Sequence, residues 1–181
     1  MKIRMRKLPG LILISLGLSL ACLSANASLS EKVQKRMDKE LKKQLGSAMF
    51  KRESITFENN DLSFTLENDQ LYKISLEKSV KGFVLVEEAM GRYHSFKFMV
   101  FVNSKLEVQA VYVLQYDEDY GSEITSKKWL EQFKGFNPQS KFEYKQNIDA
   151  ISGATISSKS ITLGIKNVLQ KFKELREKGC L

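Results

Sequence analysis

The chain has 181 residues, 29 Lys plus Arg against 21 Asp plus Glu, and a formal net charge of +8. Apolar residues at 43% and aromatics at 10% suffice for a core and exclude wholesale disorder, and the length allows one domain of ordinary size. The basic balance invites a nucleic acid or a membrane surface. Half of it, however, is Lys2, Arg4, Arg6 and Lys7, and no acidic residue precedes Glu31. No nucleic-acid motif is present, so the sequence argues against that partner.

Residues 1–27 read as a signal peptide. The basic start precedes an apolar run, Leu11 to Leu23, which is long enough for a signal core and too short to span a bilayer. Ala25-Asn26-Ala27 places small residues at the −3 and −1 positions, so cleavage is expected after Ala27. The alternatives are an uncleaved anchor and lipidation at Cys22, where the preceding Ser19-Leu20-Ala21 makes a poor acceptor signal. Cleavage leaves Cys180 as the one cysteine, so no intramolecular disulfide forms. No Cys/His cluster has metal-ligand spacing, and His94, the one histidine, reads as a half-buried strand residue.

In the exported chain, Leu29, Val33, Met37, Leu41 and Leu45 recur every four residues, which predicts a helix over 30–46 with Ser30 as cap and Gly46 as stop. Short alternating segments follow: Ile55 to Phe57, Leu62 to Leu66 and Leu71 to Ile74, separated by turns at Asn59-Asn60-Asp61 and Asn68-Asp69. Phe83 to Val86, Ser95 to Val102 and Leu106 to Tyr116 predict an antiparallel meander, with one face packed and the other wetter. A polar loop, Asp117 to Glu123, leads to a short helix from about Ser126 to Lys134, with Trp129 in its apolar side. Ile161, Ile165, Val168, Phe172 and Leu175 line a final helix over Ser157 to Lys178. The expected fold is α+β: an antiparallel sheet with an N-terminal helix and a long C-terminal helix. It divides into 28–79, with helix and short strands, and 80–181, within one compact domain.

The run Asp149 to Ser158 is the most informative. Ser152, Gly153 and Ala154 give small-residue backbone entering a helix, and Ser152, Thr155, Ser157 and Ser158 bring four hydroxyls to its start. Two readings stand on these residues alone. The hydroxyls cap the helix, or the helix start holds an anion.

Asp149-Ala150-Ile151-Ser152-Gly153-Ala154-Thr155 resembles the D-x-x-S-G-A-T motif of FMN-binding domains. Such domains occur in the Na⁺-pumping NADH:quinone oxidoreductase, in the Rnf complex and in small exported electron carriers. Lys81-Gly82-Phe83, Met90 to Tyr93, Tyr116 to Ile124 and Phe133-Lys134-Gly135 add to the likeness, which covers about residues 80–175. In that family a periplasmic flavin transferase attaches FMN through its phosphate to the motif threonine. The resemblance therefore implies covalent FMN on Thr155 through a phosphothreonine-type linkage, with the loop Glu118 to Ile124 against the isoalloxazine or its ribityl chain. Asp149, Ser152, Gly153 and Ala154 would surround the linkage. Tyr120 would stack on the flavin, Gly121 would allow close approach, and Glu123 would accept hydrogen bonds. Tyr93, His94 and Trp129 read as packing residues.

The expected function is that of an exported, periplasmic flavoprotein passing electrons between membrane or periplasmic redox partners. It is a carrier more than a stand-alone enzyme, since no acid–base pair or nucleophile is visible. The alternatives are a flavin-dependent reductase or reductase component acting on a small acceptor, and a flavin-free periplasmic interaction module.

Overall fold

The computed structural model describes residues 29–47, 49–56 and 61–181. The expected leader, Ser28, Cys22, Phe57 and the Asn59-Asn60 part of the first turn lie outside the described residues. Helix α1 (Glu31–Leu45) is followed by strands β1 (Phe50–Ser54), β2 (Leu71–Leu76), β3 (Ser79–Met90), β4 (Ser95–Val102) and β5 (Val108–Gln115). A 3-10 turn at Ser122–Thr125 then leads to a four-residue helix α2 (Lys127–Leu130), a second 3-10 turn at Glu131–Phe133 and the long helix α3 (Thr155–Glu177). The five strands form one antiparallel sheet in sequence order. The fold is α+β, as the sequence predicts.

Period-two alternation sends successive strand residues to opposite faces. Here both faces are covered. Tyr72, Ile74, Val84, Val86, Met99, Phe101 and Leu114 pack against Val33, Met37 and Leu41 of α1. On the other face Phe83, Leu85, Phe96, Phe98, Val100 and Val113 pack against Ile161, Ile165, Val168, Phe172 and Leu175 of α3. The expected wetter face is therefore corrected: each helix closes one side, and β3 and β4 are apolar on both because both are buried. Gly164 brings α3 close to the sheet, since a Cβ there would lie 2.9 Å from the buried Phe98 ring.

Two other expectations change. Leu62 to Leu66 pairs with no strand; Leu62, Phe64 and Leu66 pack as irregular chain against the α3-side core. The helix expected from Ser126 to Lys134 is one α-helical turn followed by a 3-10 turn, ending at Gly135 with φ 85°. Among the described residues no helix is long and apolar enough to cross a membrane.

Candidate functional site

Helix α3 begins two residues earlier than its apolar stripe predicts, so Thr155 is its first residue. The cap position is Ala154, which offers no side-chain hydrogen bond, and the first turn carries no acidic residue. The opening N–H groups of a helix have no intrahelical acceptor and carry the positive end of its dipole. The start of α3 therefore has its positive end uncompensated by its own side chains.

The four hydroxyls separate into two kinds. Ser157 is buried, with its Oγ 3.2 Å from the Tyr116 hydroxyl. Ser158 is fully buried; its Oγ donates to the Ala154 carbonyl at 2.7 Å and lies 3.1 Å from the Tyr144 hydroxyl. Both are engaged within the fold. Ser152 and Thr155 are exposed and make no side-chain hydrogen bond among the described residues. Of these two, only Thr155 sits on the helix.

Two depressions flank Thr155. One, of about 290 Å³, is lined by Arg92, Tyr93, Glu118, Tyr120 and the Gly153–Ser157 backbone turn. The other, of about 510 Å³, is lined by Phe142, Tyr144, Lys145, Lys159, Leu163 and Lys166 among others. Small-molecule sites are typically a few hundred Å³ with a largely apolar lining. Arg92, Lys145, Lys159 and Lys166 have no carboxylate partner among the described residues; Arg92 lies over the Tyr93 ring and Lys145 near the Tyr144 ring. Four cations thus stand against two carboxylates, Glu118 and Glu143, in the lining around Thr155; Tyr120, 74% exposed, offers a free aromatic face beside it, and Tyr93, 62% exposed, carries Arg92 over its ring.

The loop after β5 is held to this helix start by one residue. The Tyr116 hydroxyl donates to the Tyr120 carbonyl at 2.8 Å, meets Ser157, and its ring packs edge-on against Phe96 at 5.3 Å. Gly121 has φ 80°, and a Cβ on it would lie 2.8 Å from the Ala154 Cβ and 3.0 Å from the Tyr116 hydroxyl. Its missing side chain makes room for Ala154, so the close approach at Gly121 is between two loops of the protein. Ala154 is buried under this contact.

Across the depression, the Glu118 carboxylate accepts the backbone N–H groups of His94 at 2.9 Å and Tyr93 at 2.7 Å. These bonds hold its pKa below the usual carboxylate value. Gly91 leaves the space that this carboxylate occupies. His94 is exposed in the turn between β3 and β4, which corrects its expected place as a half-buried strand residue; Tyr93 is likewise exposed and not packed in the core.

The remaining residues are not drawn together. Glu123 is exposed in the 3-10 turn and lines neither depression; its carbonyl accepts the Ser126 N–H. Asp149 is exposed and lines neither depression. Its backbone is fixed at both ends: Trp129 Nε1 donates to its carbonyl and its N–H donates to Gln132 Oε1, each at 2.9 Å. Trp129 is buried, as a core residue should be. Tyr144, Lys145, Lys159 and Lys166 lie outside the motif; Lys159 and Lys166 share α3 with Thr155, whereas Arg92, Tyr144 and Lys145 reach the depressions beside it from separate segments through the fold. Among the described residues no group of His, Cys, Asp and Glu could hold a metal ion.

The fold thus sets an exposed hydroxyl at an uncapped helix start, with Arg92, Lys145, Lys159, Lys166 and the exposed Tyr120 lining the depressions beside it. Residues 91–170 match the family model of the FMN-binding domain. Among solved structures, NqrC of Shewanella oneidensis is similar at 21% identity with a TM-score of 0.45, over 53% of this chain. The likeness spans 52%, about half, of that protein. No curated protein matches the chain.

Proposed function

We propose that Thr155 carries FMN as a phosphoester and that the protein is an exported electron carrier. The observation that carries this reading is the state of Thr155: the one exposed hydroxyl on an uncapped helix start within the FMN-binding segment. Forming the ester would join the threonine oxygen to the FMN phosphorus of a flavin adenine dinucleotide held by the flavin transferase, while the pyrophosphate bond breaks, AMP leaves and the hydroxyl proton is released. The phosphodiester keeps about one negative charge, which the first-turn N–H groups of α3 and the Arg92, Lys145, Lys159 and Lys166 cations favour.

Bound flavin supplies one- and two-electron redox chemistry. The chain's own residues bind and orient. Tyr116 fixes the 116–121 loop against α3, Gly121 lets that loop close on Ala154, and Glu118 holds the β3–β4 turn that presents Arg92 and Tyr93. Tyr120 and Tyr93 provide flat apolar surface of the kind an isoalloxazine ring packs on. Asp149, Ser152 and Gly153 lie on the exposed approach that a transferase must read. A covalent link suits a protein outside the cytoplasm, where a dissociated cofactor is lost by diffusion. Donor and acceptor are membrane or periplasmic redox proteins.

Intact mass after coexpression with a flavin transferase tests this. The wild type should gain one FMN and lose residues 1–27; Thr155→Ala should lose the leader but gain no flavin. A wild type without the adduct, or an adduct retained in Thr155→Ala, sinks the reading. A leader retained in both sinks the cleavage after Ala27 and leaves an anchored protein.

A further inference from the structure

Helix α1 is consumed on one side and unbalanced on the other. Val33, Met37 and Leu41 are fully buried against the sheet. Its outer side exposes Lys32, Lys35, Arg36, Lys39, Lys42 and Lys43, spaced by 3, 1, 3, 3 and 1 residues, which keeps them on one face. Of its three acids, only Glu31 is exposed, paired with Lys35. Glu40 is buried between Arg36 and Lys43, and Asp38 is turned to Arg52 of β1. Lys32, Lys39 and Lys42 have no ion-pair partner among the described residues.

We propose that this outer face of α1 docks the protein on an anionic lipid surface. The chemistry of the face selects lipid over protein. Protein-binding patches gather aromatic and apolar anchors and are poor in lysine. None of the residues α1 exposes is apolar, and five of its six exposed cations are lysines. From Lys32 to Lys43 the helix spreads the charge along about 17 Å, which suits an extended plane of headgroups. The sequence supplies a second reason. Only residues 24–30 separate α1 from the uncharged apolar run Leu11 to Leu23, so export brings the start of this helix beside the bilayer. Because α1 and α3 cover opposite faces of the sheet, docking through α1 leaves α3 on the side away from the lipid.

The test is vesicle cosedimentation of the exported protein, with its N-terminus read by intact mass. Phosphatidylglycerol–phosphatidylcholine vesicles are compared with pure phosphatidylcholine. The wild type should bind the anionic vesicles at least about tenfold more tightly, and should lose that preference at about 1 M salt. Lys32→Glu/Lys39→Glu/Lys42→Glu should weaken the anionic binding by about 100-fold. A second triple variant, Lys145→Glu/Lys159→Glu/Lys166→Glu, makes the same change in net charge on the other side and should keep most of the binding. Lys32→Gln/Lys39→Gln/Lys42→Gln, a milder change at exposed positions, should fall between wild type and the α1 reversal. Circular dichroism checks that each variant is folded. Equal binding to both vesicle types, binding to neither, or equal losses in the two charge-reversed variants each overturns the proposal. A retained leader raises binding to both vesicle types alike, so the preference for anionic lipid still reads α1.

Discussion

The two long helices begin in opposite ways. At α1, Ser30 caps the Val33 N–H at 3.4 Å and Glu31 sits in the first turn, so the positive end of the helix meets its own hydroxyl and carboxylate. At α3, Ala154 caps nothing and no acid stands in the first turn. Both helices bury an apolar stripe on the same sheet, so packing does not explain the contrast. A start that is closed by its own side chains has only structure to serve. A start left open beside an exposed hydroxyl and four cations that no described carboxylate pairs is where the proposed phosphoester would place its charge.

The largest test asks whether the helices are equal partners in the fold. Phe172→Ala on α3 removes a fully buried ring and should cost about 3–5 kcal/mol, and Met37→Ala on α1 should cost about 2–5 kcal/mol, by chemical denaturation. A near-neutral Met37→Ala would mean that α1 is appended to a self-sufficient FMN-binding segment. The comparison of the two helix starts would then lose its structural side.

Gly121→Ala comes next, because it strikes the loop that closes on the open start. The residue would need φ 80° and would bring a Cβ within 2.8 Å of Ala154. A cost of about 1–3 kcal/mol is expected, with reduced flavin incorporation measured by mass. Unchanged stability would show that the loop yields without effort and that Ala154 is not held by it.

The sequence made these helices legible and concealed the contrast between their starts. A four-residue recurrence from Leu29 to Leu45 marks α1, and Ser30 is readable as a cap because serine there has a donor three residues ahead. The stripe of α3 begins at Ile161, and small residues precede it, so periodicity cannot say where the first turn lies; its start at Thr155 is set by packing of Ala154 and Ser158. Burial on both sides was readable in principle from the unbroken apolar run of β4, but a meander ordinarily leaves one face to water. Leu62 to Leu66 alternates like a strand, yet alternation records only that one side is buried, and the side chains satisfy it without a ladder. At the site, Thr155 stands out through its motif. Tyr116, Arg92, Tyr144 and Lys145 come from separate segments and meet only in the folded chain; Lys159 and Lys166 share α3 with Thr155, and helical spacing already sets Lys159 one turn beyond it.

The helix starts can also be compared directly. Ser30→Ala should cost about 1 kcal/mol, whereas Thr155→Ala and Ser152→Ala should each stay within about 0.5 kcal/mol of wild type in flavin-free protein. Thr155→Ala would then separate function from stability: no flavin adduct, no loss of fold. A cost at Thr155 equal to that at Ser30 would mean that the hydroxyl serves the helix, and the open start would be only apparent.

The smallest effect concerns acid. Glu118 holds the β3–β4 turn through the N–H groups of His94 and Tyr93, which lower its pKa. A carboxylate whose folded pKa is depressed contributes stability that is complete above its unfolded value of about 4.3. That contribution falls away as pH drops from there through the lower folded value. Glu118→Gln removes the titration while keeping an acceptor oxygen. The denaturation midpoint of the wild type should therefore fall more steeply than that of Glu118→Gln below about pH 4.3, with the two curves running parallel at neutral pH. Parallel curves throughout would show that the carboxylate is no better held in the fold than in the unfolded chain. The turn presenting Arg92 and Tyr93 to Thr155 would then have to be fixed by the sheet alone.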